Sequence, residues 1–197
     1  MSHRDPNTII LFGGTSDEAR VSVASAQNLS RTLLGARLWF WALNGAVYEV
    51  GRPELEAHTE PFTREFVPPG EPRFSELTAA FAELRKDQAV FLAVHGGEGE
   101  NGGVQRHLEK SQLAFTGSGA AASARAFDKN EAKRVVAADG VLVAKGTSFD
   151  PRAPESRDTV CRLLGEFHEL MLKPVAGGSS IGLFRLSKEA DIDLVLR

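Results

Sequence analysis

The 197-residue sequence has only one cysteine, one tyrosine and two methionines. A single cysteine cannot form an internal disulfide, and it excludes zinc sites built from several thiolates. No hydrophobic run approaches the ~18 residues that a membrane-spanning helix requires, and residues 1–6 lack the apolar core of a signal peptide. We therefore expect a cytoplasmic protein with no membrane partner.

The charge balance is slightly acidic, with a formal net charge of −3 and a pI near 6.0. A nucleic-acid-binding protein needs a basic patch, so this balance argues against a nucleic-acid partner. The composition is that of a globular protein, with 42% hydrophobic and 25% charged residues. The histidines show no spacing typical of a metal site, and we predict no metal ligand in this chain.

The N-terminal part alternates short apolar runs with helical patterns, which predicts an α/β fold with a doubly wound parallel sheet. The runs at 8–12 and 89–94 have the composition of buried parallel strands. The first ends in Gly13-Gly14, and the second ends in a glycine-rich segment that begins at His95. Ligands collect at the carboxyl ends of such strands, so both loops are candidate binding loops.

A hairpin and a long loop are predicted between these two strands. The Asn-Gly pair at 44–45 is a strong hairpin signal between a strand over 36–43 and a strand over 46–50. The stretch 51–72 is rich in proline, glutamate and glycine and predicts a loop, with an edge strand at 65–67 as an alternative.

The pattern changes near residues 122–127 to that of a small α+β unit, so we predict two domains, 1–124 and 125–197. The elements predicted in the second domain are a helix over 128–138, a strand over 141–147, a helix over 157–166, a hairpin around the loop 177–182, and a last helix capped by Ser187.

The hairpin loop from Gly177 to Gly182 is the clearest stretch of the sequence. Glycines let backbone N–H groups approach a ligand, serines add hydroxyl donors, and Lys173 before the loop adds a mobile positive charge. Together these groups suit an anion with many oxygens, such as a polyphosphate. The loop has neither the Walker A order nor the strand-to-helix setting of a dinucleotide site. A plain exposed hairpin loop remains the alternative.

Four further side chains are candidates, each with a simpler alternative. Glu18 begins a predicted helix, where it either caps the helix or holds a substrate ammonium group. His95 ends a buried strand at the edge where ligands bind, although a lone histidine is usually structural. Lys129 and Lys133 are four residues apart and face one side of a helix, although most helical lysines are only surface charges.

These strings, in this order, resemble the D-alanine–D-alanine ligase family of the ATP-grasp fold. The matching residues are Leu11–Ser16 with Glu18, Val21 and Ser22; His95-Gly96 with Glu100, Gly102 and Gln105; Phe115–Gly119; Asp128-Lys129 with Lys133; and Lys173-Pro174 with Gly178–Ser180, Ile181 and Gly182. The resemblance implies a pre-ATP-grasp domain followed by a central ATP-grasp subdomain, with the C-terminal ATP-grasp part absent from this chain.

The resemblance also implies a reaction. ATP would phosphorylate the carboxylate of one D-alanine, and the amine of a second D-alanine would attack the acyl phosphate to give a dipeptide for peptidoglycan. ATP would be the cofactor, and Mg²⁺ is expected for the complete enzyme, with its ligands outside this chain. We therefore expect this chain alone to be inactive. A homodimer is left open.

The site residues follow from the same resemblance. Glu18 and Ser179 would be catalytic and would share a hydrogen-bonded network around the first D-alanine. The residues that would bind that substrate are His95, Gly14 and Ser180. The residues that would bind ATP are Lys129, Lys173, Gly177, Gly178 and Ser179, with the loop closing over the phosphates.

Two departures keep other functions open. The family usually has arginine where this chain has Gly97, and glutamate where it has Gly177. One alternative is a related carboxylate–amine ligase that acts on other amino acids. Another is a non-catalytic binding module that keeps the fold.

Overall fold

The computed structural model describes residues 7–196, which form two compact units, one ending at Phe127 and the other beginning at Asp128. The predicted domains 1–124 and 125–197 begin and end outside the described residues, and their limits stay a prediction. Across residues 7–196, no helix is long and apolar enough to cross a bilayer.

The first unit contains a five-stranded sheet with helices between its strands. The elements are β1 (Thr8–Gly13), α1 (Ala19–Thr32), β2 (Arg37–Trp41), β3 (Val47–Val50), α2 (Arg52–Ala57), α3 (Leu77–Ala82), β4 (Ala89–Leu92), α4 (Gly97–Glu100), α5 (Gly103–Lys110), β5 (Ala114–Phe115) and α6 (Ala120–Phe127). The strands follow the order β3-β2-β1-β4-β5, in which only β3 runs antiparallel to its neighbour. This arrangement confirms the α/β class with a mostly parallel sheet.

Two apolar cores lie on the two faces of this sheet because successive strand side chains point in opposite directions. Ile9 and Leu11 of β1 belong to a core that includes residues of α3 and α5. Ile10 and Phe12 belong to the other core, with residues of α1 and α2. All four side chains are fully buried, which is worth about 1.5–3 kcal/mol for each. Helices therefore cover both faces, as the doubly wound prediction requires.

The predicted hairpin around the Asn-Gly pair at 44–45 is confirmed, whereas the predicted alternative of an edge strand at 65–67 is wrong. Gly45 has φ +87° between the antiparallel strands β2 and β3. The stretch 51–72 contains α2 in addition to loop, and residues 65–67 form no strand. Phe66 is instead buried, with its ring centroid 5.1 Å from that of Phe40. Side-chain burial, rather than backbone pairing, holds this segment on the unit.

The second unit is a small α+β arrangement around an antiparallel hairpin. Its elements are α7 (Lys129–Ala138), α8 (Ser156–Phe167), β6 (Leu170–Leu172), β7 (Phe184–Leu186), a 3₁₀ turn (Glu189–Asp191) and α9 (Ile192–Val195). The core residues are Val160, Leu164, Leu186 and Ile192, which α8, β7 and α9 contribute. The residue before the 3₁₀ turn is Lys188, so the predicted cap at Ser187 is wrong.

The predicted strand at 141–147 is also wrong. This segment has no ladder partner in the part of the chain that the structure describes, and Leu142 is 99% exposed. A strand exists only where a neighbouring backbone supplies hydrogen bonds. The segment is instead tied to α7, because the Lys133 Nζ donates to the Ala144 carbonyl at 3.0 Å.

Candidate functional site

The turn after β1 needs glycine because the backbone approaches a neighbouring strand closely. Gly13 has φ +89°, and a Cβ atom there would lie 2.4 Å from the carbonyl oxygen of Trp41. The N–H of Gly14 donates to that same oxygen at 2.7 Å. Gly14, a predicted substrate-binding residue, is therefore a buried part of the backbone at the carboxyl edge of the sheet.

Ser22 of α1 links the carboxyl ends of β1 and β4 through hydrogen bonds. Its Oγ accepts the N–H of Gly13 at 2.7 Å and donates to the carbonyl of Ala93 at 2.7 Å. The side chain is fully buried. The two glycine-rich loops therefore start from strand ends that one hydroxyl group holds together.

Glu18 lies beside the second glycine-rich loop. A Cβ atom at position 96 would lie 2.5 Å from the Glu18 Oε2, so glycine there leaves space for the carboxylate. Ser16 connects the two loops, because its Oγ accepts the Glu18 N–H at 3.2 Å and donates to the His95 carbonyl at 2.6 Å. Glu18 is the N-cap residue of α1, as the simpler alternative expects, and its carboxylate makes no capping hydrogen bond to the helix. Its role toward an ammonium group stays a prediction.

The imidazole of His95 contacts side chains from two helices. Its Nε2 lies 2.9 Å from the Oγ of Ser25 on α1, and its Nδ1 lies 3.8 Å from the Oε1 of Glu100 on α4. Ser25 was not among the site residues predicted from the sequence. Its spacing is the signal that would have found it, because Glu18, Ser22 and Ser25 follow each other by four and three residues and share one helix face.

In the second unit, Lys129 is bound to the backbone of the hairpin loop. Asp128 caps α7 through the N–H groups of Asn130 and Glu131, at 2.8 and 3.0 Å. The Lys129 N–H then donates to the Val175 carbonyl at 3.0 Å, and the Lys129 Nζ donates to the Gly177 carbonyl at 2.7 Å. The ammonium group predicted to contact ATP therefore lies at the loop that was predicted to bind phosphates.

The loop itself has an unusual backbone. Positive φ angles occur at Gly177 (+118°), Ser179 (+48°), Ser180 (+60°) and Gly182 (+68°). The two serines are in a conformation that costs an L-residue about 1–2 kcal/mol. The exposed Lys173 follows β6 directly at the start of the loop. A phosphate-binding role fits this open loop with its two lysines, and it stays a prediction.

The two positions that depart from the family pattern have backbones suited to glycine. Gly97 has φ +47°, and a Cβ atom there would lie 3.3 Å from the Ser16 Cβ. Gly177 has φ +118°. Both angles lie in the left-handed region, where arginine or glutamate would be strained. Glycine therefore fits the local backbone conformation at both positions.

The structure brings together two groups of predicted residues. In the first unit, Gly14, Glu18 and His95 lie on neighbouring loops. In the second unit, Lys129 contacts the loop that also carries Gly178, Ser179 and Ser180. The predicted link between Glu18 and Ser179 stays a prediction. Among the described residues, no group of three or more His, Cys, Asp or Glu side chains could hold a metal ion, so no magnesium ligands are assigned.

Known proteins resemble the chain in sequence and in structure. It is 32% identical to a D-alanine–D-alanine ligase of Bradyrhizobium sp. strain ORS 278, over 93% of this chain and 53% of that protein. It is 30% identical to a D-alanine–D-alanine ligase of Mycobacterium leprae, over 90% of this chain and 52% of that protein. The solved D-alanine–D-alanine ligase of Coxiella burnetii superimposes with a TM-score of 0.75 at 27% identity, over 96% of this chain and 58% of that one.

The chain spans about half the length of the curated relatives that it matches. A sequence profile described as "D-ala D-ala ligase N-terminus" matches residues 7–118, which is more than half of the 197 residues. The matched segment contains both glycine-rich strand ends, the Glu18 carboxylate and His95. On this profile match and these relatives, the chain belongs to the D-alanine–D-alanine ligase family.

Proposed function

We propose that this chain supplies the first amino-acid site and the phosphate loop of an ATP-dependent ligase that joins two D-alanines for peptidoglycan synthesis. One observation carries the proposal. The Glu18 carboxylate lies against the glycine backbone at position 96, inside the segment that matches the family profile. This places a negative charge at the carboxyl edge of a parallel sheet, where ligands of such folds bind.

The amino-acid end would work by charge and fixed geometry. The substrate ammonium would donate to the Glu18 carboxylate, and such a charge-assisted hydrogen bond contributes about 1.5–3 kcal/mol. Ser16 supports this arrangement, because its hydroxyl connects the Glu18 N–H to the His95 carbonyl. The substrate ammonium would therefore bind the carboxylate of a residue whose backbone a hydrogen bond already holds in place.

The nucleotide end would work through positive charge and backbone N–H groups. Phosphoryl transfer depends mainly on positioning and on stabilising negative charge. Lys129 and Lys173 provide the charge next to the loop. ATP, when bound, would supply the phosphoryl group that activates the substrate carboxylate. Its phosphate oxygens would replace the carbonyl oxygen of Gly177 as acceptors for the Lys129 ammonium.

The proposed reaction has two steps, and this chain's residues would hold the reactants in both. A carboxylate oxygen of the first D-alanine attacks the γ-phosphorus, and ADP leaves with an acyl phosphate formed. The amine of the second D-alanine then attacks the acyl carbon, and inorganic phosphate leaves as the peptide bond forms. Glu18 would hold the ammonium group of the first D-alanine and so fix the orientation of the substrate carboxylate that reacts.

Binding of the first amino acid is tested directly on this chain. Saturation-transfer NMR should detect D-alanine, and the variant Glu18→Gln should lose that signal because the neutral amide removes the charge that attracts the ammonium. L-Alanine is the matched ligand control and Glu56→Gln is the matched variant control, since Glu56 is exposed on the short helix α2. An unchanged D-alanine signal in Glu18→Gln would overturn the proposed site.

Turnover is tested on the longest product that the gene encodes, by following phosphate release with ATP, Mg²⁺ and D-alanine. Release that depends on D-alanine supports the ligase. D-Alanine binding with no release from any D-amino acid would indicate the non-catalytic binding module instead. Release with another amino acid in preference to D-alanine would indicate the related carboxylate–amine ligase, which the two glycine departures keep open.

A further inference from the structure

The His95 residue is hydrogen-bonded at two points and faces a carboxylate at a third. Its carbonyl accepts the hydroxyl of Ser16 at 2.6 Å. Its Nε2 lies 2.9 Å from the Oγ of Ser25, and its Nδ1 lies 3.8 Å from the Oε1 of Glu100, beyond the reach of a direct hydrogen bond. The side chain is 35% exposed. The ring is therefore hydrogen-bonded at Nε2, whereas its Nδ1 faces a negative charge.

The charge beside Nδ1 decides which nitrogen of the neutral ring carries the proton. An ionised carboxylate such as Glu100 only accepts hydrogen bonds. If Nδ1 were bare, its lone pair would face that negative charge, whereas an N–H group at Nδ1 is attracted to it. The Nδ1–H form is therefore favoured, and Nε2 is then the acceptor.

An acceptor at Nε2 needs a donor, and Ser25 supplies it. We infer that Ser25 is a positioning residue that donates its hydroxyl proton to the His95 Nε2 and thereby holds the imidazole in the Nδ1–H tautomer at the amino-acid site. The ring of a histidine is oriented by the hydrogen bond that its second nitrogen makes. Without Ser25, the ring can rotate and exchange its two nitrogens. The role of Ser25 in binding the amino acid rests on the proposed function, whereas the assignment of the His95 tautomer does not.

The spectroscopic test uses the whole chain with ¹⁵N-labelled histidine, at mildly alkaline pH where histidine side chains are neutral. Long-range ¹H–¹⁵N correlation spectra distinguish a protonated from an unprotonated ring nitrogen, and His95→Gln identifies the signal. The wild-type ring should carry its proton on Nδ1. Ser25→Ala should give a mixture of tautomers, and Ser25→Thr, which keeps the hydroxyl, should restore the wild-type pattern.

The matched control is Ser30→Ala. Ser30 is buried on the same helix, and its hydroxyl donates to the Gln27 carbonyl, away from the imidazole. This variant should leave the His95 nitrogens unchanged. A wild-type ring protonated on Nε2 would overturn the inference, as would a Ser25→Ala spectrum identical to that of the wild type. Helix α1 should tolerate alanine at both positions, because alanine is the best helix former.

A binding measurement links the tautomer to the amino-acid site. Ser25→Ala should weaken D-alanine binding by about three- to tenfold, the loss of one net hydrogen bond, and Ser25→Thr should recover most of it. An intact D-alanine affinity in Ser25→Ala would overturn the positioning role. If the wild-type chain binds no D-alanine, the proposed function fails, and the nitrogen spectra still decide the contact between Ser25 and His95.

Discussion

Replacing Ser22 by alanine removes the hydroxyl group that joins β1 to β4. Two buried backbone groups then lose their partner, the N–H of Gly13 and the carbonyl of Ala93, each bonded at 2.7 Å in the intact protein. Leaving a buried polar group unsatisfied costs about 1–3 kcal/mol, and the better helix propensity of alanine returns about 0.5 kcal/mol. We expect Ser22→Ala to lower the free energy of unfolding of the first unit by about 1.5–5.5 kcal/mol, the cost of two such groups less the gain in propensity.

Urea unfolding followed by tryptophan fluorescence measures this change in the first unit alone, because both tryptophans of the sequence, Trp39 and Trp41, lie buried in β2. With a slope of about 2 kcal/mol per molar urea, typical of a small domain, the midpoint should fall by roughly 1–3 M. The slope should stay constant, since the surface exposed on unfolding does not change.

The control for this experiment is again Ser30→Ala. Ser30 is as buried as Ser22, yet its hydroxyl donates at 3.0 Å only to the Gln27 carbonyl within the same helix. Its removal should change the free energy of unfolding by no more than about 0.5 kcal/mol. If the two variants lost the same stability, the reasoning from the two orphaned backbone groups would be refuted.

Two other predictions concern charged side chains, one in each unit. A hydrogen bond from Arg37 lowers the pKa of Glu49 below its ordinary value of 4.5, so this ion pair stabilises the fold above that pH and loses its contribution as the pH falls through the folded pKa. Glu49→Gln should therefore cost about 1 kcal/mol in urea unfolding at neutral pH and less as the pH drops below 4.5. A cost that stays constant with pH would contradict this origin. In the second unit, Lys129→Met should speed amide hydrogen exchange across residues 175–180, because the hydrogen bond from the ammonium group to the Gly177 carbonyl is lost. Exchange at the wild-type rate would show that the ammonium group does not hold the loop.

Features that depend on a few neighbouring residues could be predicted from the sequence. The apolar run 8–12 and the Asn-Gly pair at 44–45 specified a buried strand and a hairpin, since side-chain pattern and turn geometry act over short distances. The family motifs, including the strings around Glu18 and His95, were also visible, because each motif lies within one strand end and the loop that follows it.

Features that depend on a distant partner could not be predicted. The apolar segment 141–147 has the composition of a strand, yet no backbone in residues 7–196 pairs with it. The strand prediction for residues 65–67 was wrong for a similar reason, since the Phe66 side chain is buried in the core while the backbone of this segment forms no ladder. Composition indicates what a segment can do, and the available neighbour decides what it does.

The alternation of strands and helices, the glycine-rich loops and the residue types at the candidate site follow from the amino-acid sequence alone. Two contacts became visible only in the folded chain. Ser25 contacts a histidine 70 residues away, and the Glu18 carboxylate lies against the glycine backbone at position 96. Such contacts arise where separate strands end at the same edge of a sheet, and strand order follows from packing of the whole unit rather than from any local pattern.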